Sequence, residues 1–227
     1  MNRLRLLPFM LIALACLLAC SDDEPISAAD TDYRYDIVTY QGQNDTGALF
    51  ECVGRDDSGS VVLQSAVNLS GEANVNQRVM LRYDYTDAAN PPQAKSIRNI
   101  NVYGCYAIIS DTVRRSANAL ADYPMHQVKL RSMWRTGNYI NLHAQVEYTD
   151  AARTFMLLAD SATLDDDTVH CYLVHDLRGQ QGTFWRDCYA SFYVGALWHK
   201  TSCHTLRIHL NDVTYPDVTY YDFNKQH

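Results

Sequence analysis

The stretch Tyr139-Ile140-Asn141-Leu142-His143-Ala144-Gln145-Val146-Glu147-Tyr148 places Ile140, Leu142, Ala144, Val146 and Tyr148 on one side of an extended chain and Asn141, His143, Gln145 and Glu147 on the other. Successive side chains of a strand point to opposite faces of its sheet, so this alternation predicts a strand with one buried and one polar face. The same period recurs on either side. Residues 33–40 set Tyr35 and Ile37 against Arg34 and Asp36, and residues 78–85 give Val79, Leu81, Tyr83 and Tyr85 a common face. Shorter runs at 48–53, 61–63 and 97–109 are separated by turn chemistry such as Asp57-Ser58-Gly59 and Asn90-Pro91-Pro92. Five strands of this spacing predict a small barrel. Residues 114–122, rich in alanine and closed by Tyr123-Pro124, predict a short helix that leads out of it. Strands resume from Val128, with further runs at 154–159, 169–175, 189–197, 205–210 and 218–223 and loops at 164–167 and 179–182. This second half reads as a sandwich of antiparallel sheets. The predicted class is all-β, with a barrel domain over 33–122 and a sandwich domain over 123–227.

The opening of the chain sets Arg3 and Arg5 ahead of an apolar run over residues 6–19, the pattern of a secretory signal peptide. The run is too short to span a bilayer. It ends in Leu17-Leu18-Ala19-Cys20, which resembles the lipobox cut just before a lipid-bearing cysteine. Residues 1–19 are then the signal peptide, Cys20 is the lipidation site, and 20–32 form a polar linker. Ordinary signal cleavage, or cleavage before Cys16, is the alternative, and either still exports the chain. Ser21-Asp22-Asp23-Glu24-Pro25 resembles an acidic tag for the outer face of the outer membrane; the other reading is a solvated acidic linker. Each buried acyl methylene contributes about 0.8 kcal/mol, so two or three acyl chains hold a protein at a membrane without a spanning helix. The expected location is the outer membrane, lipid-anchored and exposed at the cell surface.

The chain carries a formal charge of −7, and loss of the signal peptide with its two arginines makes the remainder more negative. Nucleic acid, whose phosphates call for a basic surface, is therefore not an expected partner. Beyond Cys16 and Cys20 lie five cysteines, Cys52, Cys105, Cys171, Cys188 and Cys203, an odd number that leaves at least one unpaired within the chain. Cys52 and Cys105 can be read as a bridge or as small buried apolar residues.

The lipobox with its acidic follow-on, the tyrosine-rich strand at 33–40, and the segment Met133-Trp134-Arg135-Thr136-Gly137-Asn138-Tyr139-Ile140-Asn141-Leu142 occur together in this chain. With Val174-His175-Asp176 and the closing strand at 218–225, they resemble the NigD-like lipoprotein family over nearly the whole mature chain. The resemblance implies an N-terminal OB-like barrel followed by a C-terminal β-sandwich. The family takes its name from a bacteriocin-immunity gene, so the resemblance implies at most immunity or surface interaction.

Histidine and cysteine are gathered at His170, Cys171 and His175 and at His199, Cys203, His204 and His209. A tetrahedral metal site needs three or four such groups to converge. No two-cysteine knuckle or paired-histidine helix occurs, so histidines satisfied by backbone carbonyls are the preferred reading and no metal or cofactor is expected. Asp165, Asp166 and Asp167 lack the alternating ligands of a calcium loop. There is no glycine-flanked nucleophile elbow, and no catalytic residue is assigned. Sixteen tyrosines and three tryptophans exceed the needs of two small cores, and Tyr, Trp and Arg carry binding hot spots. Trp134, Tyr139, Trp185, Trp198, Tyr220 and Tyr221 are the candidate binding surface, with the reading that most tyrosines merely cover sheet faces kept beside it. Asp111-Thr112-Val113, Asp160-Ser161-Ala162 and Asp167-Thr168-Val169 resemble short O-glycosylation acceptors. The expected function is a non-enzymatic surface lipoprotein that binds a protein or glycan, its oligomeric state open. The alternative is a bacteriocin self-immunity protein at the envelope; a metal-dependent enzyme using His and Cys residues between His170 and His209 ranks below both.

Overall fold

Five strands, β1 (Arg34–Asn44), β2 (Gly47–Val53), β3 (Ser60–Ser65), β4 (Arg78–Tyr85) and β5 (Ile97–Ala107), close into a barrel in the order β1-β2-β3-β5-β4. The computed structural model describes residues 33–55, 59–69, 73–86, 97–118, 121, 123–150 and 153–225. Cys20, the signal peptide, the acidic linker and the turns at 57–58 and 90–92 lie outside the described residues. β1 pairs with both β2 and β4, and the single parallel contact, β3 with β5, completes the cylinder. Closure leaves no strand edge to attract another chain. Val38, Tyr40, Phe50, Leu63, Val79, Leu81, Tyr83 and Ile100 fill the interior. These are the alternate apolar positions of each strand, so the two-residue period in the sequence becomes an inside and an outside.

The remaining strands form two stacked sheets. One has the order β6-β12-β9-β8, from β6 (Ile109–Thr112), β12 (Trp185–Tyr193), β9 (Tyr139–Glu147) and β8 (Val128–Thr136). The other has the order β14-β13-β11-β10-β7, from β14 (Tyr220–Asn224), β13 (Thr205–His209), β11 (Thr168–Asp176), β10 (Thr154–Asp160) and β7 (Arg114–Ser116). Between them Ile140, Leu142, Ala144, Val146, Leu157, Val169, Leu173, Phe192, Leu206 and Ile208 form one core. The fold is all-β, a five-stranded OB-like barrel followed by a β-sandwich. Most sandwich ladders are antiparallel, but β6–β12, β7–β10 and β11–β13 run parallel.

The passage from barrel to sandwich differs from the expected one. β5 ends at Ala107, and after Ile108 the chain is already in the sandwich as β6. The apolar run 97–109 therefore serves two sheets, and nothing in its period marks where it leaves the first. The helix expected over 114–122 is not formed at its start: Arg114–Ser116 is β7, paired with Leu158–Asp160 of β10. Its local alanine content is overridden by the edge of β10, which has an open ladder to offer. A short helix does occur later, α1 (Gly195–Trp198), at the end of the run expected to be strand over 189–197.

Barrel and sandwich meet at Arg78 on the outer face of β4, 1 % exposed. Its guanidinium donates to Thr39 Oγ1 at 3.0 Å and Ile37 O at 3.1 Å in the barrel, and to Ser191 Oγ and Asn141 Oδ1, each at 3.1 Å, in the sandwich. Tyr139 covers it, with the guanidinium carbon 4.3 Å from the ring centroid. Burial pulls the guanidinium down to about 10; it remains charged at neutral pH, satisfied by neutral oxygens and a ring face.

Candidate functional site

β8 and β9 are joined by a two-residue turn, Gly137-Asn138, with Thr136 paired to Tyr139 and Gly137 at φ 52°. Such a turn needs a positive φ, which glycine adopts without a side-chain penalty. A Cβ on Gly137 would lie 3.3 Å from Val53 Cγ1, so this hairpin end sits against the barrel. Beside it opens a cleft of about 840 Å³, lined among others by Arg55, Met133, Trp134, Arg135, Trp198, Lys200, Phe223 and Lys225.

Two of the predicted residues share this cleft. Trp134 is half-buried on β8, on the strand face opposite Met133, which packs into the sandwich core. Trp198 ends α1 and is 7 % exposed, closing the rim of that core. Each ring is capped by a cation: the Arg55 guanidinium lies 5.0 Å from Trp134, the Arg135 guanidinium 4.2 Å from Trp198, and Lys225 Nζ 5.6 Å from Trp198. Arg135 also donates to Gly137 O. Lys200 Nζ lies 2.7 Å from Asp165 Oδ1 and 2.8 Å from Leu164 O, and Lys225 Nζ donates to Lys200 O at 2.8 Å. On the cleft wall, Asp222 is held by Arg207 through two bonds of 2.8 Å. The bonds from these cations hold the Asp165 and Asp222 carboxyls below the usual carboxylate range. Both carboxylates are therefore ionised and engaged at neutral pH. An aromatic cleft that carries Arg55, Arg135, Lys200 and Lys225 thus stands on a protein of charge −7.

The other four predicted residues lie elsewhere. Tyr139 is part of the barrel–sandwich seam, under Arg78 and 5.4 Å from the Tyr193 ring. Trp185 is at the far end of β12, where Lys129 Nζ lies 4.1 Å from its ring. Tyr220 is 42 % exposed on the outer face of β14, with Arg207 at 4.0 Å, whereas Tyr221 turns inward onto the core. The expectation of one surface made by all six is corrected: strand alternation and ladder position scatter them. The cations Arg55, Arg135, Lys200 and Lys225 are what the sequence reading missed. A Trp-Arg pair at 134–135 was a local signal for one of them; the convergence of the others needs the fold.

The histidines and cysteines do not converge either. His170 Nδ1 and His209 Nε2 lie 3.0 Å apart on adjacent strands, His199 Nε2 is 2.6 Å from Asn138 Oδ1, and His204 Nδ1 is 2.7 Å from Asp167 Oδ1. Cys203 and Cys171 are buried in the sandwich core. Among the described residues no group of three or more His, Cys, Asp or Glu is placed to hold a metal ion. None of the described cysteines is in a disulfide, so Cys52 and Cys105 are not bridged; both pack against the barrel core. Burial, helped by Asp36, pushes the Cys52 thiol up to about 12.

A closed five-stranded barrel that runs into a two-sheet sandwich, with an open cleft at the sandwich edge, defines an all-β protein built of a barrel and a sandwich. Residues 113–224 match the NigD-like C-terminal beta sandwich domain, so the chain is NigD-like over its sandwich half. Its fold is similar to that of a protein of unknown function from Bacteroides vulgatus, with 14% identity, a TM-score of 0.62, and coverage of 86% of this chain and 90% of that one. It is also similar to a NigD-like immunity protein from Bacteroides caccae, at 16% identity and a TM-score of 0.56 over 85% and 92% of the two chains. A lipoprotein candidate from Bacteroides fragilis shares 10% identity and a TM-score of 0.54 over 85% and 96%. Among curated proteins none matches the chain. At these identities the likeness is one of fold.

Proposed function

We propose that this protein is a non-enzymatic binding module, anchored at the outer membrane through a lipid on Cys20, with its ligand received in the Trp134–Trp198 cleft. The observation that carries the reading is the chemistry of the cleft wall. Arg55, Arg135 and Lys225 lie over tryptophan rings, while Asp222 in the wall is tied to Arg207 and Asp165, outside the wall, is tied to Lys200. Catalysis by proton transfer wants groups poised near the working pH, and these carboxylates are held well away from it. Tryptophan rings under arginine and lysine side chains instead include the residue types that dominate binding energy. Among the described residues no helix is long and apolar enough to cross a membrane.

Cells fed an alkyne fatty acid test the anchor: label should appear on the protein, vanish in Cys20→Ala, and the protein should be removed from intact cells by protease. Binding is tested by recovering the tagged protein from cells grown with their own secreted products, beside a Trp134→Ala variant. A peptide or glycan recovered with the first and lost from the second is the expected result; equal recovery removes the cleft from the reading. The family name favours a second reading, immunity to a bacteriocin. Expression should then protect a sensitive strain, and no protection would end that reading while leaving the binding module.

A further inference from the structure

β11 and β13 run side by side in parallel, with His170 paired to Arg207, Cys171 to Ile208 and Tyr172 to His209. Cys171 and Ile208 point into the sandwich core, so by strand alternation His170, Tyr172, Arg207 and His209 share the outer face of the five-stranded sheet. His170 and His209 are diagonal neighbours there, and His170 Nδ1 lies 3.0 Å from His209 Nε2. Both rings are half-buried. Tyr172 stacks on His209 with centroids 4.7 Å apart and planes 16° from parallel, and the Tyr220 ring of β14 lies at 5.7 Å. Two imidazoles on paired strands thus present one nitrogen each across a short gap, and the stacked tyrosine fixes the orientation of one of them. The charges around the pair suit a cation. Arg207, the positive group of this face, is held by Asp222 through two bonds of 2.8 Å. The Asp222 carboxylate is near enough for its charge to act on both histidines, and Asp160 acts on Tyr172. Two carboxylates against one guanidinium leave the cluster negative when the histidines are neutral. Burial, with the charges of His170 and Arg207, lowers the proton affinity of His209, so that its ring is neutral at neutral pH.

We infer that His170 and His209 form a two-histidine site for divalent copper. Neutral imidazole is the commonest protein ligand for metals, and among first-row divalent ions nitrogen sites hold copper most tightly. Imidazole nitrogen binds such an ion at about 2.0–2.1 Å, so a separation of 3.0 Å corresponds to an angle of about 91–97° at a shared ion. That is close to the right angle between adjacent ligands of a tetragonal copper ion. The tetrahedral angle of zinc would place the two nitrogens about 3.3–3.4 Å apart. Without metal, the N–H of one ring faces the lone pair of the other. When the ion enters, that proton moves to the second nitrogen of the same ring, both facing lone pairs bind the ion, and no net proton is released. Water completes the coordination, because among the described residues no third His, Cys, Asp or Glu is grouped with the pair. Neither histidine lines the Trp134–Trp198 cleft, so the inference stands whatever that cleft binds.

The probe is copper(II), titrated into the full chain in detergent at pH 7.5 in a non-coordinating buffer, with accessible thiols blocked by iodoacetamide. Calorimetry reads the affinity and electron paramagnetic resonance reads the ligands. One copper should bind per chain, at least tenfold more tightly than zinc, with a tetragonal spectrum whose fine structure shows two coupled imidazole nitrogens. His170→Gln and His209→Gln, each checked for an unchanged melting temperature, should weaken binding at least tenfold and leave one coupled nitrogen. His143→Gln, which removes the histidine paired with Asp187 on the other sheet, should change neither affinity nor spectrum. Binding that survives both substitutions at His170 and His209, a spectrum without two imidazole nitrogens, zinc held as tightly as copper, or no binding at micromolar copper would each overturn the inference. The spectrum of the unsubstituted protein decides the ligands even where a variant fails to fold.

Discussion

His209 illustrates how much a single side chain takes from its surroundings. Its ring stacks on Tyr172 at 4.7 Å and on His170 at 5.0 Å, with Tyr220 at 5.7 Å on the neighbouring strand. Burial lowers its proton affinity first, then the charges of His170 and Arg207, against a smaller opposite pull from Asp222. His175, 0 % exposed with Nδ1 3.1 Å from Gln127 O, is lowered chiefly by burial. For a base depressed in this way the unfolded chain takes up its proton first, starting near the ordinary histidine value of 6.5. Stability is therefore greatest above that pH and falls as the pH drops from 6.5 toward the folded-state value. Urea midpoints measured from pH 7.5 to 5 should decline across that window. His209→Gln should make the decline shallower, with His175 supplying what remains; an unchanged slope would show that His209 is not depressed.

Elements depend on how closely two backbones approach, which a residue pattern does not record. β1 and β2 are joined through Asp45-Thr46, with Asn44 paired to Gly47 and Asn44 Oδ1 accepting from Thr46 N at 2.9 Å. Gly47 has φ 123°, and a Cβ there would lie 1.8 Å from Ser65 O. The left-handed backbone and the missing side chain are both required, so Gly47→Ala should cost about 2 kcal/mol or more in urea unfolding. Loss of less than about 0.5 kcal/mol, the range of an ordinary surface change, would mean that the strand can shift aside. β4 was legible to the residue, Arg78–Tyr85, because it alternates without interruption. β6 and β7 were not, because three- and four-residue strands have too short a period to read and are stabilised by the partner they meet.

The joining of barrel to sandwich rests on Arg78, whose four hydrogen bonds are shared between the two. Arg78→Leu keeps much of the volume but leaves buried Thr39, Asn141 and Ser191 short of a partner, and about 3 kcal/mol should be lost. The tryptophans all lie in the sandwich and Cys52 and Cys105 in the barrel, so fluorescence and mass-resolved thiol labelling follow the two parts separately. Wild type should unfold with coincident midpoints, and in Arg78→Leu the barrel cysteines should become reactive at lower urea than the fluorescence midpoint. Coincident midpoints in the variant would show that other contacts couple the two parts.

Alternation alone carried the all-β class, the barrel-then-sandwich order and most strands, because a strand's two faces meet different solvents and residue types record that directly. The aromatic surplus was visible too, and it pointed to Trp134 and Trp198. Only the folded chain decided that these two share a cleft while Tyr139, Trp185, Tyr220 and Tyr221 do not, and that Arg55, Arg135, Lys200 and Lys225 join them. These six cleft residues come from β8, α1, the loop after β2, the loop after α1 and the end of β14. Their convergence is set by which strands become sheet edges, a property of long-range pairing that no local period encodes.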